Sequence, residues 1–207
     1  MKPILLDALA TKQDCEWACE FVSKEIRKIE AQMRSPQWDS AHPEGKQTAQ
    51  GNREPWILDW GLPRHQIIEE AVGCEIYPMT VFWRVMGKGF ILYDHKDWRH
   101  CQVSASITCG IGDGLEKPTP LNVEGIDYDI GIGQGLIYDG VKQMHSRLEQ
   151  PAGWQMMMLI HYLRKDSQEY KNLAKVMDTS VPYKMIPHLS EGAGPLPPDN
   201  IITLGSP

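Results

Sequence analysis

The absences in this sequence narrow its class first. No apolar run approaches the ~20 residues that a membrane-spanning helix needs, so no transmembrane segment is expected. The opening stretch, Met1 to Ala10, has one lysine and a short apolar run broken by Asp7. It lacks the apolar length of a secretory signal, and a cytoplasmic location is expected. Basic residues are the minority: 21 Lys and Arg against 27 Asp and Glu leave a net charge of -6. With no dense basic stripe either, a nucleic-acid partner is not expected. The five cysteines, Cys15, Cys19, Cys74, Cys101 and Cys109, are odd in number and form no C-x-x-C pair. That argues against a disulfide framework or a structural zinc site and for core thiols. Internal repeats and low-complexity tracts are also missing. What is present, 42% hydrophobic and 23% charged residues in 207 positions, fits one globular domain.

Periodicity divides the chain. From Thr11 to Met33, Cys15, Ala18, Cys19, Val22, Ile26, Ile29 and Met33 recur at three- and four-residue steps, which predicts a helix with one buried face. Thr11 followed by Asp14 resembles a reciprocal N-terminal cap. Ser35 to Pro55 is polar and holds Pro36, Pro43, Gly45 and Gly51. It reads as a long loop, either a lid beside an active site or a plain connection. A second helix is expected from Pro63, carrying Ile67, Ile68, Ala71 and Val72 and stopped by Gly73. Residues 1–74 thus form a helical N-terminal part.

Residues 75–165 read as short strands: Met79 to Met86, Phe90 to Tyr93, Gln102 to Cys109, Leu121 to Val123, Leu136 to Tyr138, His145 to Leu148 and Gln155 to Leu163. In Gln102 to Cys109, Val103, Ala105, Ile107 and Cys109 alternate with Gln102, Ser104, Ser106 and Thr108, so one face is apolar and the other polar. Many short strands separated by glycine turns predict a sandwich or barrel, with the N-terminal helices packed outside it. Residues 180–207, with Pro182, Pro187, Pro195, Pro197 and Pro198, read as an extended arm.

Tyr93-Asp94-His95-Lys96-Asp97 ends one of these strands. In extended backbone, residues two apart point to the same side, so His95 and Asp97 offer an imidazole and a carboxylate together. His145, far downstream at the start of another strand, is the candidate third ligand. Two histidines and one carboxylate are the facial triad of non-haem Fe(II) oxygenases, which leaves coordination positions open for substrate and O2. The blander alternatives are a surface His95, an Asp97 that caps a turn, and a His145 satisfied within its loop. His100 reads as a surface or outer-sphere histidine, and His161 as a buried, hydrogen-bonded one. His42, His65 and His188 carry no argument.

With these residues and the run Gly133-Gln134-Gly135-Leu136-Ile137-Tyr138-Asp139-Gly140 leading toward His145, the chain resembles the Fe(II)/2-oxoglutarate-dependent oxygenase superfamily. The resemblance covers roughly Val81 to Tyr162. Ser104-Ala-Ser106, Gly135-Leu-Ile-Tyr138, His145-Ser-Arg147 and His161-Tyr162 look like its prolyl-hydroxylase-like branch. It implies a mainly β (α+β) fold with a double-stranded β-helix (jelly-roll) core. It also implies Fe(II) held by His95, Asp97 and His145, with 2-oxoglutarate and O2 consumed as a C–H bond is hydroxylated. A peptide or protein side chain and a small molecule are both open as substrate.

The chain departs from that pattern at one place. Relatives carry a basic residue in the strand after the distal histidine, where Trp154, Gln155 and Met156 stand here. Arg147 is a substitute. It follows His145 by two residues, about 6.6 Å along a strand and on the same face, and its planar fork suits a carboxylate. Arg84 is second choice and Arg99 third. A surface salt bridge is the ordinary alternative for each. Ser104 and Ser106 either donate hydrogen bonds inside the barrel or form an outward polar face. Trp83, Trp98 and Trp154 read as core packing, with substrate stacking as the alternative. Two other functions compete: a cupin-like metalloprotein without 2-oxoglutarate, whose H-x-H pattern His95-Lys96-Asp97 does not match, and a non-catalytic β-barrel binding module.

Overall fold

A computed structural model describes residues 1–33, 48–51, 55–176 and 179. In chain order the elements are β1 (Ile4–Leu6), α1 (Lys12–Met33), β2 (Thr48–Gly51), α2 (Pro55–Gly61), a 3-10 turn (Leu62–Arg64) and α3 (His65–Val72). There follow β3 (Ile76–Gly87), β4 (Leu92–His95), β5 (Val103–Gly112), β6 (Leu121–Val123), β7 (Ile126–Tyr128), β8 (Gly135–Tyr138), β9 (His145–Arg147), β10 (Trp154–Arg164) and α4 (Gln168–Val176). The strands form two antiparallel sheets, ordered β1-β8-β5-β10-β3-β2 and β4-β9-β6-β7. The architecture is mostly β and jelly-roll-like. No helix among the described residues is long and apolar enough to cross a membrane.

The main core lies between the larger sheet and the helices. Cys15, Ala18 and Val22 of α1 and Ile57 and Trp60 of α2 pack with Val103, Ala105, Ile107 and Cys109 of β5 and Met156, Met158 and Ile160 of β10. These are the apolar positions of the alternating strands. Each large side chain withdrawn from water here contributes roughly 1.5–3 kcal/mol. Trp83 is fully buried, whereas Trp98 is 41% exposed, and Trp154 packs partly buried against the core. All five cysteines are free.

The structure revises several expectations. Residues 48–51 lie inside the expected Ser35–Pro55 loop, yet they form an edge strand whose partners run from Met86 to Trp83. Pro55 opens a helix in place of closing that loop. Thr-Ala-Gln-Gly has little strand propensity of its own, so its pairing depends on β3. The helix expected from Pro63 begins at His65, after a 3-10 turn, although Gly73 does close it in the left-handed conformation (φ 67). The strand expected at Phe90–Tyr93 runs from Leu92 to His95, because Phe90 belongs to a turn with Gly87. The strands β1 and β7 and the helices α2 and α4 were not anticipated; three-residue strands are too short to show alternation. The possible lid at 35–47 and the arm at 180–207 lie outside the described residues.

The cap on α1 also ties the helices together. Asp14 accepts from the Thr11 amide (2.9 Å) and hydroxyl (2.8 Å), while the Asp14 amide donates back to Thr11 Oγ1 (3.1 Å). The same carboxylate pairs with the buried Arg64 guanidinium, which stacks on Trp60 at 4.1 Å. Burial raises the Asp14 pKa, but the Thr11 hydrogen bonds and Arg64 outweigh it and hold the group below its ordinary value. A cap contributes roughly 1 kcal/mol and stranding a buried cation adds to that, so Asp14→Ala is expected to cost about 2–3 kcal/mol of unfolding free energy in urea denaturation. Because the folded pKa is depressed, this stability is present above the unfolded carboxylate pKa of about 4 and is lost as pH falls through the folded value. The acid limb of the stability curve should therefore flatten in Asp14→Ala; a midpoint equal to the parent's would remove Asp14 from this role.

Candidate metal centre

The smaller sheet brings the two histidines face to face. His95 ends β4 and His145 begins β9, and they are direct cross-strand partners with ring centroids 4.2 Å apart. Each ring is held in the same way. His95 Nδ1 lies 2.8 Å from the Tyr93 carbonyl and His145 Nδ1 lies 3.0 Å from the Gln143 carbonyl. A carbonyl can only accept, so each Nδ1 carries the proton and each Nε2 keeps a free lone pair, the tautomer a metal needs. Burial, followed by the neighbouring His145, lowers the His95 pKa, which favours the neutral ring.

Asp97 completes the group from outside any strand. Its amide donates to the Gly140 carbonyl (2.7 Å), and this cross-loop bond, not continued strand geometry, sets its position. Asp97 Oδ1 lies 3.4 Å from His145 Nε2 and 3.8 Å from His95 Nε2. The other oxygen, Oδ2, accepts from Ser104 Oγ at 2.8 Å. Burial would raise the Asp97 pKa, but His145 and His161 in their protonated forms, together with the Ser104 hydroxyl, lower it by more and hold it far below the usual carboxylate range. One atom from each of His95, Asp97 and His145 lies within 4.8 Å of the others, close enough to ligate a single ion. Two neutral imidazoles and one carboxylate suit a divalent transition metal and leave part of its coordination sphere open.

The triad opens onto a cavity lined by both sheets, with Arg84, Ser106, Tyr138, Arg147 and His161 among its walls. Ser104, Ser106 and Thr108 are fully buried, so the polar face of β5 turns inward. Ser104 supports Asp97, and Ser106 accepts from Arg147 Nη2 at 3.1 Å. Arg147 Nη1 donates to the Thr119 carbonyl. Burial pushes the Arg147 pKa down to about 10, so the group is still a cation at neutral pH. Arg84 reaches the same cavity from β3; burial lowers its pKa and Asp97 opposes that shift. Arg99 is exposed, 6.0 Å from the Trp98 ring, and is not among the cavity residues. Gln155, at the position where a basic residue was sought, is buried and accepts from the Thr119 amide at 2.8 Å.

Tyr138 and Gly140 also shape the site, although no local pattern in the sequence gives them that role. Tyr138 packs on His145 at 4.8 Å, and burial followed by the Asp97 charge pushes its pKa well up. It therefore lines the cavity as a neutral phenol. Gly140 touches the site so closely that an added Cβ would overlap both Asp97 Oδ2 and Ser104 Oγ. An Asp139-Gly140 dipeptide reads locally as a turn, and nothing in the sequence links it to Asp97. His161 is buried as expected, with Nε2 3.9 Å from Asp97 Oδ2. His100, expected at the surface or in the outer sphere, is instead buried and lies edge-on to Trp98 at 4.2 Å.

No family model matches the chain and no curated protein matches it in sequence. Solved structures do match in fold. The viral collagen prolyl hydroxylase of Paramecium Bursaria Chlorella virus-1, solved as its 2OG complex, aligns with TM-score 0.57 at 11% identity over 78% of this chain and 96% of that one. A prolyl-4-hydroxylase of Pseudomonas putida aligns with TM-score 0.52 at 14% identity over 78% and 92%. HygX of Streptomyces hygroscopicus, with nickel and 2-oxoglutarate bound, aligns with TM-score 0.52 at 10% identity over 79% and 83%. At such identities the likeness establishes a shared fold.

The crowding at Gly140 is directly testable. Gly140→Ala must displace Asp97 or Ser104, and losses of supporting contacts at metal sites typically weaken affinity about 10- to 100-fold. Metal titration of the variant is expected to show a loss of that order with an unchanged far-ultraviolet circular dichroism spectrum. Parent-like affinity would mean that the close packing of Gly140 on Asp97 and Ser104 does not support metal binding.

Proposed function

We propose that this chain is an Fe(II)- and 2-oxoglutarate-dependent dioxygenase that hydroxylates a C–H bond of a protein side chain or a small molecule. The observation that carries this reading is the convergence of two imidazole Nε2 atoms and Asp97 Oδ1 above a cavity that contains the buried Arg147 cation. In this reading the two facing sheets are the walls of a double-stranded β-helix. Fe(II), when bound, would supply the redox chemistry by which a C–H substrate, 2-oxoglutarate and O2 become the hydroxylated product, succinate and CO2.

The chain's own residues supply position and charge. His95, Asp97 and His145 hold the ion on one side only. Ser104 fixes the outer oxygen of Asp97, so Oδ1 is presented to the ion. Arg147 takes the far carboxylate of 2-oxoglutarate. Its two terminal nitrogens already hold Thr119 and Ser106, so the guanidinium is oriented before the ligand arrives, and each terminal nitrogen has a second N–H to offer. A dicarboxylate entering this partly dry cavity needs such a cation, because an unpaired buried charge is costly. The apolar walls, Phe82, Leu92, Leu121 and Leu159 among them, keep bulk water from the reacting centre.

Two outcomes test this. Asp97→Ala is expected to abolish Fe(II) binding and succinate release, since it removes the negative ligand from a site of two neutral rings; full turnover in that variant would exclude the triad. Arg147→Ala is expected to raise the Michaelis constant for 2-oxoglutarate steeply, losing about 2–5 kcal/mol as for other truncated buried charge pairs, while Fe(II) affinity stays near the parent's. An unchanged constant would move the role to Arg84. Normal 2-oxoglutarate affinity in both Arg147→Ala and Arg84→Ala would favour a cupin-like metalloprotein.

A further inference from the structure

Asp97 faces two ways. Its Oδ1 points at His95 and His145, but its Oδ2 points toward His161, whose Nε2 is 3.9 Å away. Beyond His161 lies Cys101, with Sγ 3.3 Å from His161 Nδ1. Asp97, Cys101 and His161 also present one potential ligand atom each within 4.8 Å of the others. Cys101 and His161 are both 7% exposed. This thiol is therefore buried beside an imidazole and a carboxylate, unlike Cys15 and Cys109, which sit in the apolar core.

We propose that Asp97, Cys101 and His161 form a second metal site, selective for Zn2+ or a similarly thiophilic divalent ion, with Asp97 bridging it to the first. The donor set carries the selectivity. Thiolate, imidazole and carboxylate are the ligands of Zn2+, whereas the first group has no sulfur. Bond lengths of about 2.0–2.3 Å around a tetrahedral ion place neighbouring ligand atoms roughly 3.3–3.7 Å apart. The 3.9 Å between His161 Nε2 and Asp97 Oδ2 lies just outside that range, and one ligand atom from each of the three residues lies within 4.8 Å of the others. Because the thiol meets Nδ1 and the carboxylate meets Nε2, the His161 ring must rotate to bring one nitrogen between them. Binding converts the Cys101 thiol to a metal thiolate and releases one proton to solvent. Three protein ligands leave the fourth position to water. A cation on Oδ2 also draws charge from Oδ1, so occupancy of this site weakens metal binding at His95 and His145.

This inference shares Asp97 with the proposed iron site but does not rest on the oxygenase reading, and its readout is independent of turnover. The reduced full-length protein is titrated with Co2+ without oxygen. The expected result is a second bound equivalent that brings a near-ultraviolet thiolate-to-Co2+ charge-transfer band, displaced by Zn2+. Cys101→Ser should lose the band and the second equivalent while keeping the first, and His161→Gln should weaken the second equivalent at least tenfold. His95→Ala should keep the band and lose the first equivalent. Thermal melts of each variant establish that the fold is retained, and Cys101→Ala serves where Cys101→Ser does not fold. Saturation of the parent protein at one equivalent without the band, or a band that persists in the Cys101 variant, overturns the proposal.

Discussion

The arrangement of the site depends on one buried carboxylate. Asp97 is held by the Gly140 carbonyl through its amide, by Ser104 through one oxygen, and it faces the two histidines with the other. A negative charge withdrawn from water needs such partners, or it would neutralise by taking up a proton. Here the partners outweigh burial, and the group stays ionised. The cost of keeping a charge inside is offset by contacts that also aim it, so the same interactions stabilise and orient the carboxylate.

That constraint explains the uneven distribution of polarity. The strand β5 presents its apolar side to the helices and its hydroxyls to the cavity, and both sides are buried. Hydroxyls inside a sandwich are acceptable only where each finds a partner. Ser104 finds Asp97, Ser106 finds Arg147, and Thr108 receives the Gln155 amide at 3.5 Å. Thr119, Gln150 and Gln155 extend the network below Arg147. The hydrophobic core has accordingly moved outward, to the layer between the larger sheet and α1, α2 and α3. The cavity between the two sheets holds the charged and polar side chains beside two smaller apolar clusters, one around Leu121 and Leu136 and one around Met86 and Met157.

The pairing of His95 with His145 shows how short strands bring two rings together. Each contributes one residue to the same cross-strand pair, and each ring is oriented by a carbonyl two residues upstream. The H-x-D segment and the distal histidine therefore need no long regular strand. They need the register of β4 against β9, which β6 supports by pairing with β9 from its other edge.

Chain chemistry by itself determined the long periodic elements and the candidate ligand groups. The capped helix from Lys12, the alternation of β5 and the types and spacing of His95, Asp97, His145 and Arg147 are visible there, because helical and strand periods and local caps act between near neighbours in sequence. Tertiary structure alone decided which side of β5 faces inward, since alternation marks two faces without saying which meets a ligand. It also decided that a weakly strand-forming tetrapeptide pairs with β3, that Gly140 must be small beside Asp97, and that Cys101 and His161 meet that carboxylate from behind. These depend on contacts between residues tens of positions apart, whose free energy is realised only once both sheets are in place. No short-range pattern records them.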